Sequence, residues 1–258
     1  MERFIKNLAR GAGAVLRDGF HTKFAVSTKS ASFDFVTEYD LASEKFIIDR
    51  IRKKYPKHGI IGEESGEVVH GKKDFWLIDP LDGTHAFVKG IPQFGVSIAY
   101  VKSGQVHLGA VYDPMQDELF FAKAGHGAFL ENRRIEIAHR KDLAHANIVS
   151  MIRSNLDAST RKRILKHVYN KIIIEHMMWT DRMSSAALCG AYVASGRFDF
   201  MVSMGLRPWD YAAAALLVVE AGGKVTDFDD KKYSWKKDEF VAGNRVLHKK
   251  ILKLLPRA

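Results

Sequence analysis

Trp76-Leu77-Ile78-Asp79-Pro80-Leu81-Asp82-Gly83-Thr84 is the stretch on which the reading of this chain turns. An apolar run, Phe75 to Ile78, reads as a short buried strand that delivers Asp79 at its end. The fixed φ of Pro80 can fold the loop so that both carboxylates converge. Converging carboxylates repel one another unless a cation sits between them. An all-oxygen donor set selects Mg²⁺, Ca²⁺ or Mn²⁺ over zinc. The backbone carbonyl of Leu81, between the two acids, is a further oxygen donor. Gly83-Thr84 opens a helix whose N–H groups suit a phosphate. The plainer alternative is that Asp82 and Thr84 cap that helix.

Two other clusters place acids where stability does not ask for them. Gly62-Glu63-Glu64-Ser65-Gly66 follows the apolar pair Ile60-Ile61 at the end of an expected strand, where a solvated acidic turn is the competing account. Arg207-Pro208-Trp209-Asp210 immediately precedes an apolar helix, Tyr211 to Ala221, closed by Gly222-Gly223. Alone, Asp210 reads equally well as an N-cap. Taken with the other two clusters, it supplies one more carboxylate to a metal site. The helix is apolar nearly all round and is therefore expected at the centre of the fold.

Outward from these clusters, Met1 to about Asp18 has the spacing of an amphipathic helix, with Phe4, Ile5, Leu8, Ala12, Val15 and Leu16 on one face. A strand is expected at Phe33 to Val36. Thr37-Glu38-Tyr39-Asp40 resembles a capping box that opens a helix running to Tyr55, before Pro56. Phe94 to Val101, Val106 to Tyr112 and Glu118 to Phe121 read as consecutive strands. From about Arg140 a second half follows. It has strands at Ile148 to Met151, Lys171 to Ile174 and Asp199 to Ser203, and helices at Leu156 to Asn170 and Ser185 to Ser195. No linker, repeat or low-complexity segment divides the chain. Strands and helices without regular alternation predict a layered α/β sandwich, residues 1–258 forming one unit with halves of about 1–139 and 140–258.

Composition sets outer limits. The chain has 258 residues, 47% hydrophobic and 27% charged, a profile that excludes a disordered chain. Its longest apolar run, Tyr211 to Val219, is far short of the roughly 20 residues of a membrane span. No signal peptide is expected, because Arg10 and Arg17 interrupt the N-terminal apolar stretch. The one cysteine, Cys189, cannot pair within the chain, so a reducing cytoplasm is the expected compartment. Of the net charge of +10, +7 falls in residues 231–258, where nine Lys or Arg face only Asp238 and Glu239. Such a stretch attracts nucleic acid or acidic partners, or is simply a solvated surface. Gly11-Ala12-Gly13 and Gly125-His126-Gly127 lack the third glycine of a dinucleotide fingerprint. No Gly-x-Ser-x-Gly elbow exists, the eleven His show no zinc spacing, and Cys189 sits in a run of small apolar residues expected to be core.

The three acidic segments, with Asp34-Phe35-Val36-Thr37-Glu38-Tyr39-Asp40 and Trp209 to Gly223, resemble the inositol monophosphatase family of Mg²⁺-dependent, lithium-sensitive sugar phosphatases. Gly205-Leu206-Arg207-Pro208-Trp209-Asp210 and Val111-Tyr112-Asp113-Pro114-Met115 are most similar to its bacterial extragenic-suppressor branch. The resemblance covers nearly the whole chain and implies a five-layer αβαβα sandwich shared with fructose-1,6-bisphosphatases. It implies two or three Mg²⁺ ions: one on Glu63, Asp79 and the Leu81 carbonyl, another on Asp79, Asp82 and Asp210. Glu63 and Thr84 would orient the attacking water, the N–H groups of Gly83 and Thr84 would hold the phosphate, and Asp40 and Glu64 would support the site. Substrate contacts are implied at Asp82, Ser184, Ser185, Ala186, Ser203 and Asp210.

The family pattern is broken in places. His85-Ala86 follows Thr84 where an Asn is usual, and a surface position is expected for His85. Ser184-Ser185-Ala186 replaces a glycine-led run, and Ser203 stands where many members carry a substrate-binding Glu. The metal chemistry is untouched, while the substrate stays open. It is a sugar or polyol phosphomonoester of the inositol-1-phosphate type, or a substrate of a fructose-1,6-bisphosphatase, histidinol-phosphatase or nucleotide 3′-phosphatase. The branch also implies a homodimer and, as an alternative role, an adaptor for the transcription machinery, for which Arg182 and the basic stretch are the sequence support.

Overall fold

A computed structural model describes residues 1–28, 35–67, 73–153 and 156–256. Elements run α1 (Glu2–Phe20), β1 (Val26–Thr28), β2 (Phe35–Thr37), α2 (Glu38–Lys54), β3 (Gly59–Gly62), β4 (Gly66–Glu67), β5 (Asp74–Asp82) and α3 (Thr84–Val88). Then come β6 (Gly95–Lys102), β7 (Gln105–Asp113), β8 (Glu118–Lys123), β9 (Gly127–Leu130), β10 (Arg133–Ile135), β11 (Asn147–Ile152) and α4 (Ala158–Lys166). A π-helix, His167–Ile174, continues α4, and β12 (Trp179–Asp181), α5 (Ala186–Ala194), β13 (Phe200–Met204), α6 (Pro208–Glu220), β14 (Lys224–Thr226), β15 (Glu239–Gly243) and α7 (Arg245–Leu252) complete the order.

Eight strands form one sheet in the order β10-β9-β8-β7-β6-β5-β3-β4, and five form a second in the order β12-β11-β13-β15-β14. The apolar face of α1 (Ile5, Leu8, Ala12, Leu16) and α2 (Ile47, Ile48, Ile51) packs on one side of the large sheet with Trp76, Ile78, Ile98 and Phe121. Its other side shares a core with α5 and α6, which also meet Met201, Phe240 and Ala242 of the small sheet. The π-helix and α7 cover the outer face of that sheet through Ile148, Phe200, Val202, Ile172, Leu247 and Ile251. The result is the αβαβα sandwich. Because α5 and the middle of α6 are buried between two sheets, Ala186–Ala194 and residues 211–218 carry no charged side chain. Their crossing is close: a Cβ at Gly190 of α5 would lie 2.5 Å from Cβ of Ala214 on α6.

Local expectations survive in most places. Thr37 caps α2, accepting from the N–H groups of Tyr39 and Asp40, while Asp40 accepts in return from Thr37 N–H. The expected strand at 33–36 is β2 from Phe35 onward; Phe33 and Asp34 lie outside the described residues. The expected strand Lys171 to Ile174 is instead part of the π-helix. Its β-branched run is strand-like locally, but Val168, Ile172 and Ile173 are buried on one helical face against β11 and β13. The basic C-terminal stretch contains β15, hydrogen-bonded between β13 and β14. Its lysines sit in the preceding loop and on the exposed side of α7.

Candidate active site

Strand pairing sets the site. β3 and β5 are parallel and in register, with Gly62 beside Ile78, and Glu63 N–H donates to the Ile78 carbonyl at 3.1 Å. Glu63 therefore leaves β3 at the level where Asp79 stands on β5. On the other side, β5 pairs with β6 at Asp79–Ser97 and resumes at Asp82–Gly95, with an irregularity between. Here the Pro80 turn sits inside the strand rather than after it. Asp79 Oδ1 accepts from Leu81 N–H at 3.1 Å, and the Pro80 carbonyl accepts from Ser43 Oγ at 2.9 Å. Gly83 follows with φ +101°, a conformation that disfavours a Cβ, and that Cβ would also meet the Gln93 carbonyl at 2.8 Å. The helix it opens is only five residues long.

Asp210 arrives from the central layer. Ser97 Oγ donates to the Trp209 carbonyl at 2.9 Å, tying β6 to the first turn of α6. Asp210 is the third residue of that helix, its N-cap being Arg207, and its Oδ2 accepts from Arg207 N–H at 2.8 Å. Glu63, Asp79 and Asp210 thus each present a carboxylate oxygen within 4.8 Å of the others, with Asp79 and Asp210 buried. Burial pushes the Asp79 carboxyl well above the usual range, and the charges of Glu63, Asp82 and Asp210 push it further. Burial likewise raises Asp210. These are hard oxygen donors crowded in a dry place, which a divalent cation relieves.

Asp82 is outside that mutual group of three. Its Oδ2 accepts from Ser185 Oγ and from Ala187 N–H, each at 2.6 Å, so it holds the N-terminus of α5 and does not cap the helix at Thr84. Burial and the Asp210 charge raise its carboxyl to about 7. Thr84 Oγ1 lies 3.0 Å from both Asp40 Oδ1 and the Leu81 carbonyl. Asp40 is itself raised to about 6, chiefly by burial and against its bonds to Thr37 and Thr84. The Glu64 N–H donates to Glu44 Oε1 at 3.1 Å. Ser185 and Ala186 are buried at the start of α5, with Ser184 partly exposed before them. Ser203 is fully buried, 3.5 Å from the Phe240 carbonyl to which its hydroxyl donates. His85 is exposed and stacks on Phe35, and Cys189 is core.

Three participants escaped the sequence. Glu44 and Ser43 lie on the buried face of α2 one turn after Asp40, a spacing of polar residues among apolar ones that a helical reading could have flagged. Arg153, beside Asp210, follows β11 in no motif and gave no signal.

This geometry defines a class: a layered α/β protein in which two strands of the large sheet and the first turn of a central helix bring together three carboxylates, two of them buried, that could hold a metal ion. The family model described as "Inositol monophosphatase family" matches residues 1–258, and the chain belongs to that family of phosphatases. Nus factor SuhB of Escherichia coli K12 is 42% identical over 248 residues, covering 95% of this chain and 91% of that protein. The fructose-1,6-bisphosphatase/inositol-1-monophosphatase of Thermotoga maritima is 36% identical, covering 98% and 94%. The crystal structure of extragenic suppressor protein suhB from Bartonella henselae superposes with a TM-score of 0.91 at 34% identity, covering 99% and 98%. These relatives put the chain in the extragenic-suppressor-like branch.

Proposed function

We propose that this protein hydrolyses a small sugar or polyol phosphomonoester of the inositol-1-phosphate type with the help of Mg²⁺. The observation that carries the reading is the convergence of Glu63, Asp79 and Asp210 within 4.8 Å. Glu63, Asp79 and the Leu81 carbonyl would hold one ion, and Asp79, Asp82 and Asp210 another. When bound, such ions supply an activated water and neutralise charge on the phosphate and on the leaving oxygen. Glu63 and Thr84 orient the water. Asp40, bonded to Thr84 Oγ1, fixes the direction of that hydroxyl. Backbone N–H groups of Gly83 and Thr84 receive the phosphate. Glu44, bonded to Glu64 N–H, fixes the turn that carries Glu63.

We take residues 1–258 as one catalytic unit acting as a homodimer in the cytoplasm, with Li⁺ inhibiting by occupying the ion site of Asp79, Asp82 and Asp210. That the Escherichia coli relative is a Nus factor favours a second reading in which the chain also binds transcription machinery. Phosphate release from a panel of phosphomonoesters, with and without Mg²⁺, tests the main reading. Mg²⁺-dependent release from inositol 1-phosphate is expected, and release from no member of the panel would refute it. Capture of transcription-complex proteins by an Asp79→Asn variant separates the second reading, because a binding role has no need of the cluster.

A further inference from the structure

Arg153 directly follows β11, and its backbone N–H donates to the Met204 carbonyl at 3.1 Å, so Arg153 itself sits beside the end of β13. Its Nη2 lies 2.9 Å from Asp210 Oδ2. The arginine side chain is 44% exposed and that of Asp210 2%, so a half-exposed arginine reaches in to a buried carboxylate. The oxygen it uses is the one that also accepts from Arg207 N–H. One oxygen of Asp210 is therefore committed to two donors within the chain.

The electrostatics extend past this contact. Asp210 foremost, and then Asp82, Glu63 and Asp79, all favour the charged guanidinium. Arg153 thus touches Asp210 and feels the charge of the other side-chain ligands of the two-ion scheme. A fixed positive charge at that position does two things. It relieves repulsion among the acids of the cation-free protein, and it repels any second positive charge brought to the same carboxylates. A guanidinium cannot shed its proton to escape the conflict.

We propose that Arg153 is a positioning residue that competes with a divalent cation for Asp210, so that the ion held by Asp79, Asp82 and Asp210 binds weakly while the ion at Glu63 and Asp79 is less affected. The inference rests on the two-ion reading above. Its consequence is a protein whose cluster is held together by its own cation at low divalent-ion concentration and which acquires the second ion only when Arg153 gives up Oδ2.

Mn²⁺ binding tests it without turnover. Free Mn²⁺ is followed by electron paramagnetic resonance during titration of the wild type, Arg153→Met, which removes the charge and keeps a long apolar stem, and Arg153→Lys, which keeps the charge. Thermal unfolding in EDTA accompanies each. The wild type should bind one ion more tightly than the other. Arg153→Met should strengthen the weaker site about tenfold or more, lower Tm in EDTA, and gain more Tm than the wild type on adding Mn²⁺. Arg153→Lys should stay near the wild type. Arg153→Gln, neutral and polar, should reproduce the tightened site if the methionine variant does not fold. Equal Mn²⁺ affinities in wild type and neutral variants, or weaker binding in the variants, overturn the role of Arg153 and leave the two-ion reading standing. No Mn²⁺ binding by any of these proteins overturns both.

Discussion

Asp79 stands between Glu63, one strand away on β3, and Asp210 on the central helix, so its charge is the common element of both proposed ion sites. Asp79→Asn keeps the shape and the acceptor for Leu81 N–H and deletes that charge. Turnover should fall by several orders of magnitude, with circular dichroism unchanged; near-normal turnover at saturating Mg²⁺ would defeat the assignment. The same acids make the cation-free protein sensitive to pH. Burial raises the Asp40 carboxyl to about 6 and that of Asp82 to about 7, and raises Asp79 as well, all against an ordinary value of 3.8. Acids raised in this way bind more protons folded than unfolded above pH 4, so their stabilising contribution is whole below that pH and is lost as pH rises through 6 to 7. In EDTA, Tm should therefore drop between pH 5 and 8, by the equivalent of a few kcal/mol, and saturating Mg²⁺ should flatten the slope. A Tm in EDTA that rises over this range would contradict the burial of these carboxylates. At this scale the sequence was informative because Asp-Pro-x-Asp-Gly-Thr compresses strand, turn and acids into nine residues from Trp76. It was uninformative for Arg153, whose role comes only from β11 and β13 lying side by side.

Helices α5 and α6 owe their place to what they lack. Small residues, Gly190 and Ala214, let their backbones approach, and Asp82 holds the first turn of α5 by accepting from Ser185 Oγ and Ala187 N–H. Gly190→Val would drive a branched side chain into Ala214, an overpacking that costs about 1–3 kcal/mol. For a chain of this length that is about 2–4 °C of Tm per kcal/mol. Because α5 is tied to Asp82, activity should fall along with Tm, whereas a Tm equal to the wild type's would show that the two helices have room to part. The same elements explain what was legible. Tyr211 to Ala221 announced a central helix through unbroken apolarity, and the strands from Phe94 to Phe121 through spacing and turns. Lys171 to Ile174 misled because three consecutive isoleucines look like a strand until the stripe from Val168 is counted. β15 was hidden among lysines whose charges belong to its flanking loop and to α7, so composition described the surface and missed the buried strand.

At the scale of the whole molecule, the small sheet ends in β12, whose three residues are all exposed. An edge strand offers unpaired N–H and C=O groups and is a template for another chain unless charge or cover protects it. This edge has neither at its start. Ile174, Met177 and Trp179 are 65%, 72% and 69% exposed, and all three fall in the short stretch where the π-helix gives way to β12. A contiguous exposed apolar patch marks an interaction surface, and these three side chains are the candidate for one on this edge. We expect a second copy of the chain as the occupant, since a two-fold axis lets the same patch meet itself, and the extragenic-suppressor resemblance carries the same expectation. Sedimentation should give twice the mass of one chain at micromolar concentration, and Trp179→Glu, which places a charge in the middle of the patch, should halve it. The substitution sits far from the carboxylate cluster: Trp179 pairs with Asn147 at the start of β11, while Arg153 lies six residues further on, roughly 20 Å along the strand. Mn²⁺ binding by the variant should therefore match the wild type. A wild type that sediments as a monomer, or a Trp179→Glu variant that remains a dimer, would remove β12 as the interface and leave the exposed isoleucine, methionine and tryptophan to be explained by another partner.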